Sequence, residues 1–285
     1  MDSRQRRENF RKVLASSRCV FPASVFDPIS ARISEDLGYE VGMIGGSIVS
    51  MAVLGAPDLF VLTLTEFVEQ VRRTCRAGSL PIAVDADHGY GNALSVMRTV
   101  EELETTGVAA LTIEDTDLPP RFGQARKETL ISLEEGVGKM RAALSARRDS
   151  SLVIVGRTSA PGLTGADDAI LRCRAYQDAG VDALFIKGVK NREDLEKICG
   201  AIDLPVIMDS GAKDLRNLDY LGKMGVRIAL QGHTPYMAAI EAVYRTARAL
   251  RDGTLPENLI DLASPALVKT VTRSEAYDES ISSFL

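Results

Sequence analysis

The chain of 285 residues is predicted to be an α/β protein, a (β/α)8 barrel with a C-terminal helical extension. Short apolar runs alternate with longer amphipathic segments eight times, which is the pattern of a strand followed by a helix. Polar residues follow most of these runs, where barrels place their functional side chains. A doubly wound open sheet is the weaker alternative, because no Gly-x-Gly-x-x-Gly motif follows the first run.

The eight candidate strands are short apolar runs bounded by turn residues. They are Cys19–Ser24, Val41–Gly45, Ile82–Asp87, Ala109–Asp115, Leu152–Thr158, Ala183–Gly188, Pro205–Asp209 and Arg227–Gly232.

The helical segments between them carry recognisable end signals. Asp167–Ala179 is followed by Gly180, and Glu101–Thr106 is followed by Gly107, as expected for glycine just past a helix end. Leu133–Leu144 and Pro235–Leu250 are two further predicted helices.

The domain prediction is one barrel domain over residues 1–285, with an N-terminal helix at about 1–18. The strand and helix pattern ends at Asp252–Pro256, and the tail, about 252–285, is expected to form short helices. We expect that tail to pack against the barrel or against a neighbouring subunit.

Composition excludes several classes of protein. The net charge is −5, which argues against a nucleic-acid partner. The four cysteines are scattered and form no CxxC pair, which is typical of reduced thiols in a cytosolic protein. The charged N-terminal segment does not resemble a signal peptide, and no apolar run approaches the ~20 residues of a membrane span. We therefore expect a cytoplasmic protein without a membrane partner.

Carboxylates follow two neighbouring candidate strands. Asp85 and Asp87 lie two residues apart on one strand and face the same way, and Glu114 ends the next strand. Two carboxylates 4 Å apart repel each other by roughly 4 kcal/mol at an effective dielectric constant of about 20. All-oxygen ligands favour a hard divalent ion, Mg²⁺ or Mn²⁺. The alternative is that these residues are helix caps and surface ion-pair partners.

Three other strand ends carry candidate binding residues, each with a structural alternative. Gly46 and Ser47 can present backbone N–H groups and a hydroxyl to an anion, or simply form a tight turn. Arg157 closes an apolar strand and can bind a substrate carboxylate, or pair with the protein's own carboxylates. His233 can hydrogen-bond substrate or be structural, and Lys187 is better explained by an ion pair than by a Schiff base.

Several motifs occur together in one order. They are Ser24–Arg32, Gly45-Gly46-Ser47, Asp85-Ala86-Asp87-His88-Gly89-Tyr90-Gly91, Ile113–Thr116, Gly156–Thr158 and Gly232-His233. Together they resemble the isocitrate lyase and phosphoenolpyruvate mutase superfamily over roughly residues 24–251. The Asp85–Gly91 block is the specific part of this resemblance, and the shorter motifs are weak individually.

One loop departs from the superfamily pattern. Its lyases carry a catalytic Cys in a Lys-Lys/Arg-Cys-Gly-His loop, whereas this chain has Pro120-Arg121-Phe122-Gly123-Gln124. Phe cannot donate a proton, so cleavage of isocitrate or methylisocitrate is disfavoured. The Phe-Gly pair is similar to the oxaloacetate decarboxylase branch, which implies Mg²⁺-dependent conversion of oxaloacetate to pyruvate and CO₂. The alternatives are a methylisocitrate-type lyase, a phosphonopyruvate hydrolase or mutase, and a catalytically silent metabolite-binding barrel.

The resemblance also implies a role for each matching residue. It assigns Asp85, Asp87 and Glu114 to the metal, Mg²⁺ or Mn²⁺, the latter two residues largely through water. It assigns Ser47 with Gly46 to the substrate, and Arg157 and His233 to both binding and catalysis. The implied ligand is a small 2-oxo dicarboxylic acid. The implied assembly is a homotetramer, a dimer of dimers, and exchange of the eighth helix between barrels is common among members. Asp58 matches a further acidic position near the site.

Overall fold

The computed structural model describes residues 2–120, 122–123, 128–209 and 211–285, and it divides into two compact units, Met1–Gly232 and His233–Leu285. The first unit contains one sheet of eight parallel strands that pair in sequence order. The strands are β1 (Ala23–Ser24), β2 (Gly42–Ile44), β3 (Ile82–Asp85), β4 (Ala110–Glu114), β5 (Val153–Thr158), β6 (Ala183–Ile186), β7 (Val206–Asp209) and β8 (Val226–Leu230).

The sheet closes on itself through the segment that precedes β1. Val20 N donates to Arg227 O at 2.9 Å, and Ala229 N donates to Val20 O at 3.0 Å, so β8 pairs in parallel with this segment. The predicted (β/α)8 barrel is confirmed. The first predicted strand is shorter than expected because Pro22, which has no N–H group, interrupts the ladder before Ala23.

Ten α-helices are described in the first unit. They are α1 (Ser3–Ala15), α2 (Pro28–Asp36), α3 (Gly46–Val49), α4 (Leu64–Cys75), α5 (Ala93–Glu104), α6 (Leu133–Ala146), α7 (Ala160–Leu163), α8 (Ala166–Ala179), α9 (Arg192–Cys199) and α10 (Leu218–Lys223). A π-helical turn, Ser50–Leu54, follows α3, and a 3₁₀ turn, Lys213–Leu215, precedes α10. Gly180 ends α8 with φ of +100°, as its sequence predicts.

Helix α1 closes the amino-terminal end of the barrel. Phe10 and Leu14 join the apolar side chains of the barrel interior, among them Val153 and Ile207. The buried Arg7 donates to Val108 O, just before β4, at 3.0 Å. Because this end of the barrel is filled by α1, the carboxyl ends of the strands are left for a site.

The second unit is helical. It contains α11 (Thr234–Arg251), a 3₁₀ turn (Pro256–Asn258), α12 (Pro265–Thr272) and α13 (Ser274–Phe284). No residue of α11 is buried, and its exposed side chains include Ile240, Val243 and Tyr244. None of the helices described in either unit combines the length and apolar character needed to traverse a bilayer.

Candidate active site

Three neighbouring strands bring Asp85, Glu114 and Arg157 together at the carboxyl end of the barrel. Thr112 of β4 is in register with Asp85 of β3, and Glu114 of β4 is in register with Arg157 of β5. Arg157 Nη1 pairs with Asp85 Oδ2, and Arg157 Nη2 lies 3.2 Å from Glu114 Oε2. The side chains of Asp85, Glu114 and Arg157 are 17%, 4% and 8% exposed, respectively, so this ion-pair network is buried.

Neighbouring side chains fix these three residues in place. Thr112 Oγ1 donates to Asp85 Oδ1 at 2.8 Å, and Thr116 Oγ1 donates to Glu114 Oε2 at 2.9 Å. The guanidinium of Arg157 stacks over the ring of Phe185, 5.1 Å from its centroid. Arg157 Nε is buried and has no hydrogen-bond partner among the residues that the structure describes. One donor of a rigidly held cation is therefore left without an acceptor in the described part of the chain.

The loop after β3 places Asp87 against the start of α3. Asp87 and Tyr90 have positive φ angles of +47° and +59°, which are strained for residues other than glycine, and Gly89 between them has φ of +77°. A Cβ atom on Gly46 would lie 2.4 Å from Asp87 Oδ2. Glycine at position 46 therefore permits the close approach of backbone and carboxylate.

The carboxylates of the site have opposite pKa shifts. Burial raises the pKa of Asp87 well above its usual range, and repulsion from Asp85 and Glu114 raises it further. Burial likewise raises the pKa of Glu114, although Arg157 opposes this. At Asp85 the charge of Arg157 and the Thr112 hydrogen bond outweigh burial, and its pKa is lowered. One guanidinium thus favours the ionised form of Asp85 and does not offset the burial of Asp87 and Glu114.

This donor set fits a hard divalent cation. Asp85, Asp87 and Glu114 supply only oxygen, and Asp58 adds a fourth charge that raises the pKa of Asp87. In the present arrangement Asp85 and Glu114 are paired with Arg157. Accordingly, no group of three or more His, Cys, Asp or Glu residues in the described parts of the chain is arranged as a metal cage. The residues therefore fit a divalent cation by their charge and by their oxygen donors, and not by a preformed coordination geometry.

The remaining predicted residues lie in different places. Ser47 is in the first turn of α3, next to Gly46, and is partly exposed. His233 precedes α11 in the second unit, and its role at the site stays a prediction. In the loop that departs from the superfamily pattern, Phe122 is fully exposed, whereas Arg121 and Gln124 lie outside the described residues.

Strand alternation separates Glu114 from Asp115. Glu114 faces the site, whereas Asp115 accepts hydrogen bonds from Arg172 Nη1 at 3.0 Å and from Tyr176 Oη at 2.7 Å. Asp115 therefore belongs to a buried network with α8 and not to the candidate site.

Lys139 supports the site, a role that was not predicted from the sequence. It is buried on α6, and its Nζ donates to His88 O at 2.9 Å, which fixes the loop after β3. The signal was available, because Lys139 occurs on the face of a predicted amphipathic helix that also carries Gly136 and Met140.

A small cleft opens beside Asp87. His88 packs edge-on against Phe60 with 6.2 Å between ring centroids, and burial lowers the pKa of His88 to about 4, so its imidazole is neutral. The cleft is lined by Gly46, Ser50, Asp58, Phe60, Leu62, Asp87, His88 and Tyr90.

The fold and the site together define a class: (β/α)8-barrel proteins with a buried cluster of carboxylates and one arginine at the carboxyl ends of the strands. The chain belongs to the phosphoenolpyruvate phosphomutase family, whose sequence model matches residues 10–251. The resemblance inferred from the motifs is thus confirmed.

Three relatives illustrate the match. An oxaloacetate decarboxylase of Rhodopseudomonas palustris (strain BisA53) is 55% identical over 282 residues, which cover 99% of this chain and 97% of the relative. The structure of an oxaloacetate acetylhydrolase in complex with the inhibitor 3,3-difluorooxalacetate has a TM-score of 0.87 and 25% identity, covering 99% of this chain and 98% of that one. A phosphonopyruvate hydrolase in complex with oxalate and Mg²⁺ has a TM-score of 0.85 and 27% identity, covering 100% of this chain and 99% of that one.

Proposed function

We propose that the protein decarboxylates oxaloacetate to pyruvate and CO₂ with the help of Mg²⁺. The observation that carries this proposal is the buried Arg157, which is anchored by Asp85 and Glu114 and keeps Nε without a partner among the described residues. The 55% identity to an oxaloacetate decarboxylase over almost the whole chain supports the choice of reaction.

The reaction makes modest demands on the protein. A β-keto acid carries its own electron sink, the C2 carbonyl, so no protein nucleophile is needed. As the bond between C3 and the departing carboxylate breaks, negative charge develops on the C2 oxygen. The Arg157 guanidinium, held in a site largely shielded from water, donates to that oxygen and stabilises the enolate. A proton from solvent then converts the enolate to pyruvate.

The other residues bind the substrate and the cation. Ser47, with the adjacent backbone of Gly46, would hold the C1 carboxylate. His233 would orient the departing carboxylate. Asp85, Asp87 and Glu114 would hold the divalent cation, the latter two largely through water. When bound, Mg²⁺, or Mn²⁺ in its place, supplies a positive charge that favours the enolate.

A CO₂-release assay tests the proposal. Protein at pH 7 is given oxaloacetate with Mg²⁺ or with a chelator, and the decarboxylation caused by free Mg²⁺ is subtracted. We expect turnover that requires Mg²⁺ and is lost in Asp85→Asn. The matched control is Asp178→Asn, which makes the same change at an exposed position of α8.

Two outcomes would contradict the proposed reaction. One is turnover that is indifferent to the chelator. The other is a protein that leaves oxaloacetate intact but cleaves phosphonopyruvate or methylisocitrate in the same assay, because either substrate would identify a different enzyme of the family.

We further propose that the chain forms a homotetramer, a dimer of dimers. Helix α11 has no buried residue, and Val243 and Tyr244 on it are 69% and 62% exposed, which is unusual for large apolar side chains in a monomer. Light scattering on the purified protein tests this, and a monomeric mass at micromolar concentration would refute it.

A further inference from the structure

Two polar side chains at the ends of β5 and β6 are not used by the proposed mechanism. Lys187 N donates to Thr158 O at 3.0 Å, which continues the ladder one residue past the pair formed by Thr158 and Ile186. Ser159 and Lys187 directly follow this last pair, at the point where β5 and β6 end.

The direction of Lys187 follows from strand alternation. Phe185 points into the barrel interior, where Arg157 stacks over its ring. Lys187 follows two positions later, one residue past the end of β6. Because its backbone N–H continues the ladder to Thr158 O, we expect its side chain to point the same way as Phe185, toward the site. The charge of Lys187 reaches the site, since it lowers the pKa of Glu114 against the stronger effect of burial.

Neither side chain is held by a strong partner within the described residues. Lys187 Nζ lies 3.8 Å from Glu128 Oε1, and the two side chains are 40% and 51% exposed, so this ion pair contributes little. The buried hydroxyl of Ser159 has no hydrogen-bond partner within the described part of the chain. A buried hydroxyl without a partner is costly unless a ligand or water satisfies it.

We propose that Ser159 and Lys187 bind the second carboxylate of the substrate, the one that leaves as CO₂, and so select 2-oxo dicarboxylic acids over monocarboxylic ones. This inference rests on the proposed function. The departing carboxylate loses its charge in the transition state, so a cation beside it stabilises the bound substrate more than the transition state. A half-exposed lysine therefore suits recognition, and its contribution belongs in KM and not in kcat.

Two ligands distinguish binding at this subsite from binding at the rest of the site. 3,3-Difluorooxaloacetate carries the second carboxylate, whereas oxalate spans only the C1 and C2 positions. In the Mg²⁺-loaded protein, we expect Lys187→Met to weaken binding of 3,3-difluorooxaloacetate about tenfold, the size of one charge-assisted hydrogen bond, and to leave oxalate within about twofold. Lys190→Met, at an exposed position nearby, is the matched control and should change neither affinity.

Kinetics and a second pair of variants complete the test. With oxaloacetate, Lys187→Met should raise KM about tenfold without lowering kcat, Lys187→Arg should restore most of the loss, and Ser159→Ala should raise KM several-fold. The inference would be overturned if Lys187→Met weakened the binding of 3,3-difluorooxaloacetate and of oxalate equally. A fall in kcat at constant KM would also overturn it. If wild-type protein binds both ligands selectively but releases no CO₂, the proposed reaction fails and the carboxylate subsite stands. If wild-type protein binds neither ligand, the proposed reaction and the carboxylate subsite both fail.

Discussion

Replacing Arg157 by Met should destabilise the metal-free protein, because Asp85 and Glu114, two buried carboxylates, share Arg157 as their ion-pair partner within the described residues. Breaking a buried ion pair by removing one partner costs about 3–5 kcal/mol. For a chain of this size, each kcal/mol lowers the melting temperature by roughly 2–4 °C, so we expect a fall of about 6–20 °C. Thermal unfolding at pH 7, followed by circular dichroism, measures it.

Mg²⁺ should rescue this variant more than it stabilises the wild type. Without Arg157 a bound Mg²⁺ is the cation that offsets the buried carboxylates, and a divalent cation that binds only the folded state adds about 2.7 kcal/mol at 100 times its Kd. The matched control is Arg147→Met, which breaks a pair with Asp182 at 2.6 Å that lies away from the cluster. An equal rise of the melting temperature with Mg²⁺ in both variants, or an Arg157→Met variant that melts like wild type, would contradict this expectation.

Three further predictions concern catalysis and stability. Asp85→Asn should lower kcat for oxaloacetate at least 100-fold with a native circular dichroism spectrum, and near-normal kcat would remove Asp85 from the mechanism. Arg7→Met should cost about 3 kcal/mol of unfolding free energy in urea titrations, because it leaves Val108 O and Asp149 without their buried donor, yet kcat should be unchanged at 25 °C. The pKa of Asp149 is about 2, because hydrogen bonds from Ser151 and Arg7 outweigh a burial effect that would raise it. Since this folded-state pKa is below the unfolded one, its stabilisation is present above about pH 4 and lost as the pH falls toward 2, and Asp149→Asn should flatten that part of the stability curve.

The strand order and the acidic cluster could be predicted because both follow from local patterns. Apolar runs of strand length that alternate with glycine-terminated helices predict the barrel. Residues at the carboxyl ends of its parallel strands lie at the same edge of the sheet, which predicts the acidic cluster. For α5, only the C-terminal part was predicted, although Asn92 was available as a cap and accepts from Leu94 N and Ser95 N.

The partners of the charged residues could not be predicted from the sequence. Arg157 had two possible roles, and which carboxylates it meets depends on the register between β3, β4 and β5, which no local pattern reveals. Glu114 and Asp115 are adjacent and chemically similar. Because successive side chains of a strand point to opposite faces, Glu114 faces the site and Asp115 faces α8. Lys139 acts through a backbone carbonyl 51 positions away, a contact set by packing of α6.

The central claim is that Asp85, Asp87 and Glu114 share one divalent cation. A Mn²⁺ titration followed by electron paramagnetic resonance tests it directly, since it counts bound ions without relying on turnover. We predict one Mn²⁺ per chain, displaced by Mg²⁺, with binding lost in Asp85→Asn and retained in Asp178→Asn. A chain that binds no Mn²⁺, or an Asp85→Asn variant that binds it as tightly as wild type, would contradict the account.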